Sequence, residues 1–439
     1  MSPALNFTHD PARLSWIETA NLPGADFPLQ NLPFGLFTAK GTKAPRAGVA
    51  IGDEIFDLHA AARGGLLPIS VAPACEQEIL NPLLALGAPA WSELRARLSE
   101  LLGADLQSAR LRAQSAGCLV PMSSAQLHRP VHVGNYTDFY ASSFHAANVG
   151  ALFRPDQPLL PNYKWIPVGY HGRASSLVVS GTPVRRPRGQ RKKADADQPV
   201  FDACEQLDYE LELAAYVGPG NELGRPVSLA EAENHLFGVS LLNDWSARDI
   251  QSWEYQPLGP FLSKNFASTV SPWIVSLEAL APFRVPAFSR PQGDPSPLPY
   301  LAGAENERAG GLDVFLEVLL STPRMRTSAA EPFRLSRGRF SSMYWTLAQL
   351  LTHHTSNGCN LLPGDVLGSG TVSGPDKMSR GSLLEITRRG AEPLRLPNGE
   401  ERRFLEDGDE IILRGHAENP RARHIGLGEC RGMVLPAGP

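Results

Sequence analysis

Residues 207–217 read LDYELELAAYV. Successive side chains of a strand alternate faces, so Glu210 and Glu212 point one way while Tyr209, Leu211 and Leu213 point the other. Two carboxylates at i and i+2 lie ~7 Å apart by backbone rise, within reach of a single cation. Hard cations such as Ca²⁺ or Mg²⁺ take oxygen ligands of this kind. Taken alone, the segment also reads as an amphipathic strand with one wet face, although Glu is depleted in strands.

The chain around this segment has the same texture. From Val131 onward, short strands are separated by Gly and Pro turns, with candidates at 177–179, 207–217, 312–320, 383–387 and 410–413. Few helices interleave them. Ser228 and Glu231 form a capping box for a helix over 229–236. Met343, Leu347, Leu350, Leu351 and His354 share one face of another, stopped by Gly358. Residues 286–299 (PAFSRPQGDPSPLP) are too proline-rich for a regular element. Many strands with few crossovers favour a mixed β-sandwich roll over a doubly wound sheet. The expected class is mainly β with some α.

Ahead of this region, 34–39, 47–51 and 55–58 are short apolar segments broken by Gly41, Pro45 and the Gly52-Asp53 turn, as in a small meander or barrel. Trp91, Leu94, Leu98 and Leu101 then recur at helical spacing, and Gly103 ends that helix. A linker over 117–124 is expected to close the unit, dividing the chain into 1–118 and 119–439.

Apolar residues make up 42% and charged residues 20% of the 439, an ordinary globular composition. The net charge of −4 sets 41 basic against 45 acidic side chains, which argues against nucleic acid as a partner. One basic cluster, Arg185, Arg186, Arg188, Arg191, Lys192 and Lys193, is interrupted by Pro187 and Gly189 and followed by aspartates; it reads as a solvated loop. The five cysteines are far apart and form no Cys-x-x-Cys pair, so neither a disulfide framework nor a zinc site is indicated. No signal peptide opens the chain, and no apolar run approaches the ~20 residues needed to span a bilayer. A cytoplasmic protein is expected. Gly-x-Ser-x-Gly, His-Glu-x-x-His, P-loop and Gly-x-Gly-x-x-Gly motifs are all missing, which leaves serine hydrolases, zincins and nucleotide-binding folds unsupported.

Two more acids join the glutamates. Asp138 lies in GNYTDFYASSFHAANVG, and Asp244 follows the apolar run 237–242, at the inner end of a buried strand. An aspartate there is costly unless paired or metal-bound. Carboxylates surrounding one divalent ion leave surplus negative charge, for which Arg154, Arg248 and Lys264 are candidate partners.

VGNYTDFYASSFHAANVGALFRP (133–155), VGYHGRASSLVVSGTPVRRPRGQ (168–190), LNDWSARDIQSWEYQPLGPFLSKNF (242–266) and THHTSNGCNLLPGDVLGSGTVSGP (352–375) resemble the signature blocks of the fumarylacetoacetase family. The match runs in order over nearly the whole chain, down to GECRGMVLP (428–436). The first unit is similar to the SH3-like barrel of the family's full-length members. The resemblance implies a metal, Ca²⁺ or Mg²⁺, on Asp138, Glu210, Glu212 and Asp244, and a looser second cation at Asp244, Lys264 and Ser268, where threonine is the usual family residue. It implies His145 as general base oriented by Glu385, and stabilisation of oxyanion and carbanion by Arg248, Gln251 and Lys264. Substrate contacts fall to Tyr140, Arg154, Gln251, Tyr255 and Thr371. The implied reaction is hydrolysis of 4-fumarylacetoacetate, a diketo-dicarboxylic acid, to fumarate and acetoacetate in tyrosine and phenylalanine breakdown, by a homodimer.

The chemistry is coherent on its own terms. Cleaving a carbon–carbon bond between two carbonyls requires activated water, a stabilised oxyanion and a held enolate carbon. Histidine suits water activation near neutrality and needs an acceptor on its other nitrogen. A metal polarises the diketone, and Lys264 and Gln251 are donors for developing charge. Within the superfamily the alternatives are acylpyruvate hydrolysis and oxaloacetate decarboxylation. A non-catalytic metal-stabilised binder would need no base, orienter and carbanion stabiliser together. His353-His354 face different directions on a helix and are read as packing or capping residues; His171 and Arg173 are read as ordering a Gly-rich turn.

Overall fold

The computed structural model describes residues 4–42 and 44–438. Its first unit grows from three short strands, Phe34–Thr38, Arg46–Ile51 and Glu54–Asp57. The turn between the last two places Gly52 at φ +57°, the left-handed region that glycine enters without a Cβ penalty. These strands and Leu119–Pro121 and Gln126–His128 make one five-stranded antiparallel sheet, the expected small barrel. The stretch expected to be a linker is therefore sheet: Val120 pairs with Ile55, and the unit's last strand ends at His128. The helix Ala88–Leu102 buries Trp91, Leu94, Leu98 and Leu101 as their spacing requires.

The larger unit is built on an eight-stranded and a five-stranded sheet. Strand Leu211–Val217 lies near the middle of the first, between Leu236–Asp244 and Val366–Gly368. Its residues are all buried, so the wet face that its alternation allowed does not exist. Leu211, Leu213, Ala215 and Val217 enter the core shared with Leu316, Val318, Ile411 and Leu413 of the five-stranded sheet. Ala214 and Tyr216 face the other way and join Phe237, Leu242 and Val366 in a core completed by Phe34, Trp91 and Leu98 of the first unit. Phe237 takes edge contacts from Phe34 and Trp91 at centroid distances of 5.2 and 5.0 Å.

This second face changes character along its length. Under the first unit it is apolar; at its other end the same strands carry acids. Tyr136 leads to Asp138, Ala214 to Glu212 and Leu242 to Asp244, each step being two residues and hence one face. Register aligns these ends, with Asp138 opposite Gly368 and Asp244 opposite Ser268.

Three sequence expectations are overturned. Residues 383–387 form not a strand but the helix Leu383–Ile386, whose N-cap Ser382 accepts from the Glu385 N–H. Residues 229–236 form only a 3₁₀ turn, Ala232–His235, because Leu236 is drawn into a nine-residue buried strand. The basic cluster is not a loop throughout: it runs through the strands Val184–Arg185 and Arg188–Arg191, although Arg185, Arg188, Lys192 and Lys193 stay exposed. Arg186 is buried against Asp407 at 2.7 Å, and Arg191 pairs with Glu205 at 2.8 Å. Among the described residues, no helix is long and apolar enough to cross a membrane.

Candidate active site

Asp138, Glu210, Glu212 and Asp244 each turn a carboxylate oxygen into one buried space, all four oxygens lying within 4.8 Å of one another. Glu210 sits in the break between strands Leu207–Asp208 and Leu211–Val217, held by its N–H on Asn243 Oδ1 (3.2 Å) and by the Asp244 N–H on its carbonyl (3.2 Å). Glycine makes the space. A Cβ on Gly368 would come within 2.4 Å of Asp138 Oδ1 and 3.2 Å of Glu212 Oε2. Gly370, at φ +74°, gives its N–H to Glu212 Oε2 at 3.0 Å.

The acids are unequally satisfied. Lys264 Nζ bonds Glu210 and Asp244, the latter at 2.8 Å, and Arg248 Nη1 reaches Glu210 Oε1 at 2.8 Å. Burial alone would raise the Glu210 carboxyl, but Lys264, Arg248 and His145 hold it below the ordinary range. Asp138 and Glu212 have no such cover. Burial first, then the neighbouring acids, pushes both well above the ordinary carboxylate range. Asp138 Oδ1 and Glu212 Oε1 are buried without a hydrogen-bond partner. Orphaned buried acceptors are costly, and a hard cation among four carboxylates satisfies them. The donor set fits a metal of that class.

Alanine at position 368 is therefore expected to crowd the carboxylates. Overpacking of about 1–3 kcal/mol would appear as weaker Ca²⁺ or Mg²⁺ binding in calorimetry together with a lowered melting temperature. Unchanged affinity would mean that the space is not the metal's.

Beside the acids stands a histidine with one free nitrogen. Ser142 caps the helix Ser143–Phe153, and its Oγ accepts the His145 N–H at 3.2 Å. Nδ1 of His145 lies 2.7 Å from Glu385 Oε2, so that nitrogen carries the proton. Nε2 then offers its lone pair into the site, 3.9 Å from Glu210 Oε1. Glu385 also accepts from Asn148, Ser373 and Ser382, each at 2.9 Å. Burial would raise its carboxyl; His145 and these donors keep it lowered and ionised.

Tyr140 rests edge-on against the His145 ring (centroids 5.2 Å), and Gln251 Oε1 accepts from Arg248 Nη1 at 3.1 Å. Ser268 Oγ donates to Asp244 Oδ1 at 2.7 Å. Arg154 Nε and Thr371 Oγ1 are buried without partners. Tyr255 caps the helix Arg248–Glu254 one turn after Gln251, its N–H on the Gln251 carbonyl. Asp138, Glu210, Glu212, Asp244, Lys264, Arg248, Ser268, His145 and Glu385 are thus joined by direct contacts, while Tyr255 is tied to the group only through backbone. His353 and His354 diverge as their spacing requires, to Tyr300 and Thr137.

Sequence reasoning missed several contributors. Tyr170, in a quoted block but given no role, donates to Asp244 Oδ2 at 2.7 Å. Asn148 stands three residues after His145, on the same helix face, a signal that was available. Asp208 accepts from Arg248 (Nε, 3.0 Å) and from the Leu383 and Leu384 N–H groups, tying the guanidinium to the helix that carries Glu385. Nothing in the sequence brings positions 208 and 383 together.

A β roll whose sheet end gathers four buried acids, two cations and a polarised histidine defines a metal-type acid–base centre built for a small molecule. The chain's relatives agree with that class. The chain belongs to the fumarylacetoacetate hydrolase family: residues 135–435 match its model for the fumarylacetoacetate hydrolase C-terminal region, and residues 30–130 match the fumarylacetoacetase N-terminal model. It is 49% identical over 419 residues to fumarylacetoacetase of Homo sapiens, covering 94% of this chain and 97% of that one. The Caenorhabditis elegans fumarylacetoacetase is 50% identical over 422 residues, with coverages of 94% and 97%. That of Oryza sativa subsp. japonica is 48% identical over 433 residues, with coverages of 97% and 98%.

Proposed function

We propose that this chain hydrolyses 4-fumarylacetoacetate to fumarate and acetoacetate, the closing step of tyrosine and phenylalanine breakdown, as a cytoplasmic homodimer using Ca²⁺ or Mg²⁺. The observation that carries the reading is the His145 imidazole, fixed on Glu385 by Nδ1 and open at Nε2 beside the acids. Asp138, Glu210, Glu212 and Asp244 would hold the ion, which when bound polarises a diketone oxygen as a Lewis acid. His145 Nε2 takes a proton from water as the water oxygen bonds to the carbonyl carbon, and Glu385 stabilises the imidazolium. Lys264, Gln251 and Arg248 donate toward the oxyanion. The carbon–carbon bond then breaks with its electron pair passing to the departing enolate, whose carbon takes the proton back from the His145 imidazolium. Tyr140, Arg154, Tyr255 and Thr371 hold the substrate, and the unpaired Arg154 Nε suits a carboxylate. At the second cation position, Lys264 already stands on Asp244, so an ion at Ser268 would be the weaker of the two.

Loss of diketone absorbance with purified protein tests the reading. Fumarylacetoacetate is expected to be consumed with a higher kcat/KM than acylpyruvates, and oxaloacetate to be left intact. Preference for an acylpyruvate, or decarboxylation of oxaloacetate, would transfer the chain to another branch of the family. Arg154→Leu is expected to narrow the preference for the diketo acid over a neutral analogue. An unchanged ratio of the two kcat/KM values would remove Arg154 from carboxylate recognition.

A further inference from the structure

The hairpin Glu410–Asn419/Ala422–Leu435 carries a second group of metal-type donors that the reaction above does not use. His416 and Glu418 are two residues apart on one strand and share a face. His424 meets them from the opposite strand, and one donor atom from each of the three lies within 4.8 Å of the others. His416 Nε2 is 3.9 Å from Glu418 Oε1, and His424 Nδ1 is 3.8 Å from Glu418 Oε2. Both distances are too long for hydrogen bonds. The three groups are close enough to share an ion and are not hydrogen-bonded to one another.

The rings are held in place. His416 stacks between His424 (centroids 5.0 Å, 25°) and Phe315 (5.1 Å, 16°). The remaining nitrogen of His424, Nε2, points toward Asp26 Oδ1 at 4.0 Å. Asp26 precedes the first unit's sheet, and its carbonyl accepts from the Gly426 N–H and from Asn31 Nδ2, both at 2.7 Å. That distance too is longer than a hydrogen bond, so Asp26 places negative charge behind the ring without fixing its tautomer.

We propose that His416, Glu418 and His424 form a second metal site, for an imidazole-preferring divalent ion such as Zn²⁺, with solvent completing the coordination. Two imidazoles and one carboxylate are a zinc donor set, and bonds of about 2.0–2.1 Å in a tetrahedron space the donors roughly 3.3 Å apart. Reaching that spacing shortens the gaps of 3.9 and 3.8 Å and turns the two stacked rings so that their in-plane lone pairs converge, a rotamer change open to part-exposed side chains. Ca²⁺ and Mg²⁺, which prefer oxygen donors, belong at the buried acids instead. All three ligands lie on the C-terminal hairpin and none belongs to the buried acids or to the His145–Glu385 pair, so an ion there is structural rather than catalytic.

The test uses the full chain saturated with Ca²⁺ and titrated with Zn²⁺ alone by calorimetry. One equivalent is expected to bind. His416→Ala and His424→Ala should each weaken binding by about 100-fold, and Asp26→Asn by much less than the roughly 10-fold of a hydrogen-bonded orienting partner. With Cu²⁺ as a paramagnetic probe, nitrogen couplings from two imidazoles are expected; each histidine variant should lose one, and His145→Ala should keep both. His416 also stacks on Phe315, so Glu418→Gln provides a second variant, expected to weaken Zn²⁺ binding while the melting temperature without metal is unchanged. Zn²⁺ binding that survives in the His416→Ala/His424→Ala double variant, no Zn²⁺ bound above the Ca²⁺ background, or nitrogen couplings that vanish with His145→Ala would each overturn the assignment.

Discussion

His145→Ala is expected to lower kcat by about 10²–10⁴-fold, the usual contribution of a general base, while the protein still folds and binds its metal. Its ring is buried, yet its two ring nitrogens are spent on chemistry: Nδ1 on Glu385 and Nε2 on the open site. Glu385→Gln keeps the shape of that side chain but exchanges one acceptor oxygen for an NH₂ donor and removes the charge that stabilises the imidazolium. Its loss should be substantial. The double variant is the decisive measurement, because groups that act as one unit are strongly non-additive. It should be little slower than His145→Ala alone. If the two losses multiply, the residues work independently and the dyad is wrong; if His145→Ala turns over normally, the base lies elsewhere.

Exhaustive chelation is expected to abolish activity, with Ca²⁺ or Mg²⁺ restoring it. Thiophilic ions should restore it poorly, because the four buried ligands are all carboxylates. Full turnover in a verified metal-free preparation would exclude the assignment. The same ligands make a thermodynamic prediction. Asp138 and Glu212 hold protons more tightly in the folded metal-free chain than unfolded, their carboxyls being raised by burial first and then by neighbouring acids, Asp244 and Glu210 in both cases. That contribution is fully present below the ordinary carboxylate range and is lost as pH rises through the raised folded values. The metal-free melting temperature should therefore fall with rising pH, and saturating Ca²⁺ should remove the fall. At 100 times its Kd the ion adds about 2.7 kcal/mol.

The acids were legible because each sits where such a residue is unusual for its local structure, whereas the His145–Glu385 pair came only from the family resemblance. Glutamates alternating in an apolar strand and an aspartate ending a buried run declare an internal polar site. What alternation could not tell was which solvent the second face meets. Leu211–Val217 looks half-wet in isolation and is buried on both sides, because residues far away in sequence, Phe34 and Trp91 among them, close over it. Glu385 was assigned from resemblance but placed on the wrong element. Four residues, Leu-Leu-Glu-Ile, have too short a period to distinguish strand from helix, and the Ser382 cap decides it. The basic cluster misled for a related reason. Charge counted along the chain does not reveal Asp407 and Glu205 waiting across a fold. Tyr170, Asp208 and Ser373 join the site only through tertiary contact.

The sheet face that runs from Phe237 and Tyr216 to Glu212 and Asp244 makes one piece of architecture serve two tenants. At one end it is glued to the N-terminal barrel by oil; at the other it presents acids to an ion. The two central strands, Leu211–Val217 and Leu236–Asp244, run continuously from one end to the other and couple them. Cooperativity follows. The barrel cannot peel away without loosening the ion's seat, and an ion held firmly at one end resists melting at the other. The two domains that look like separate modules along the sequence should then denature as one body, with the metal setting the temperature at which both let go.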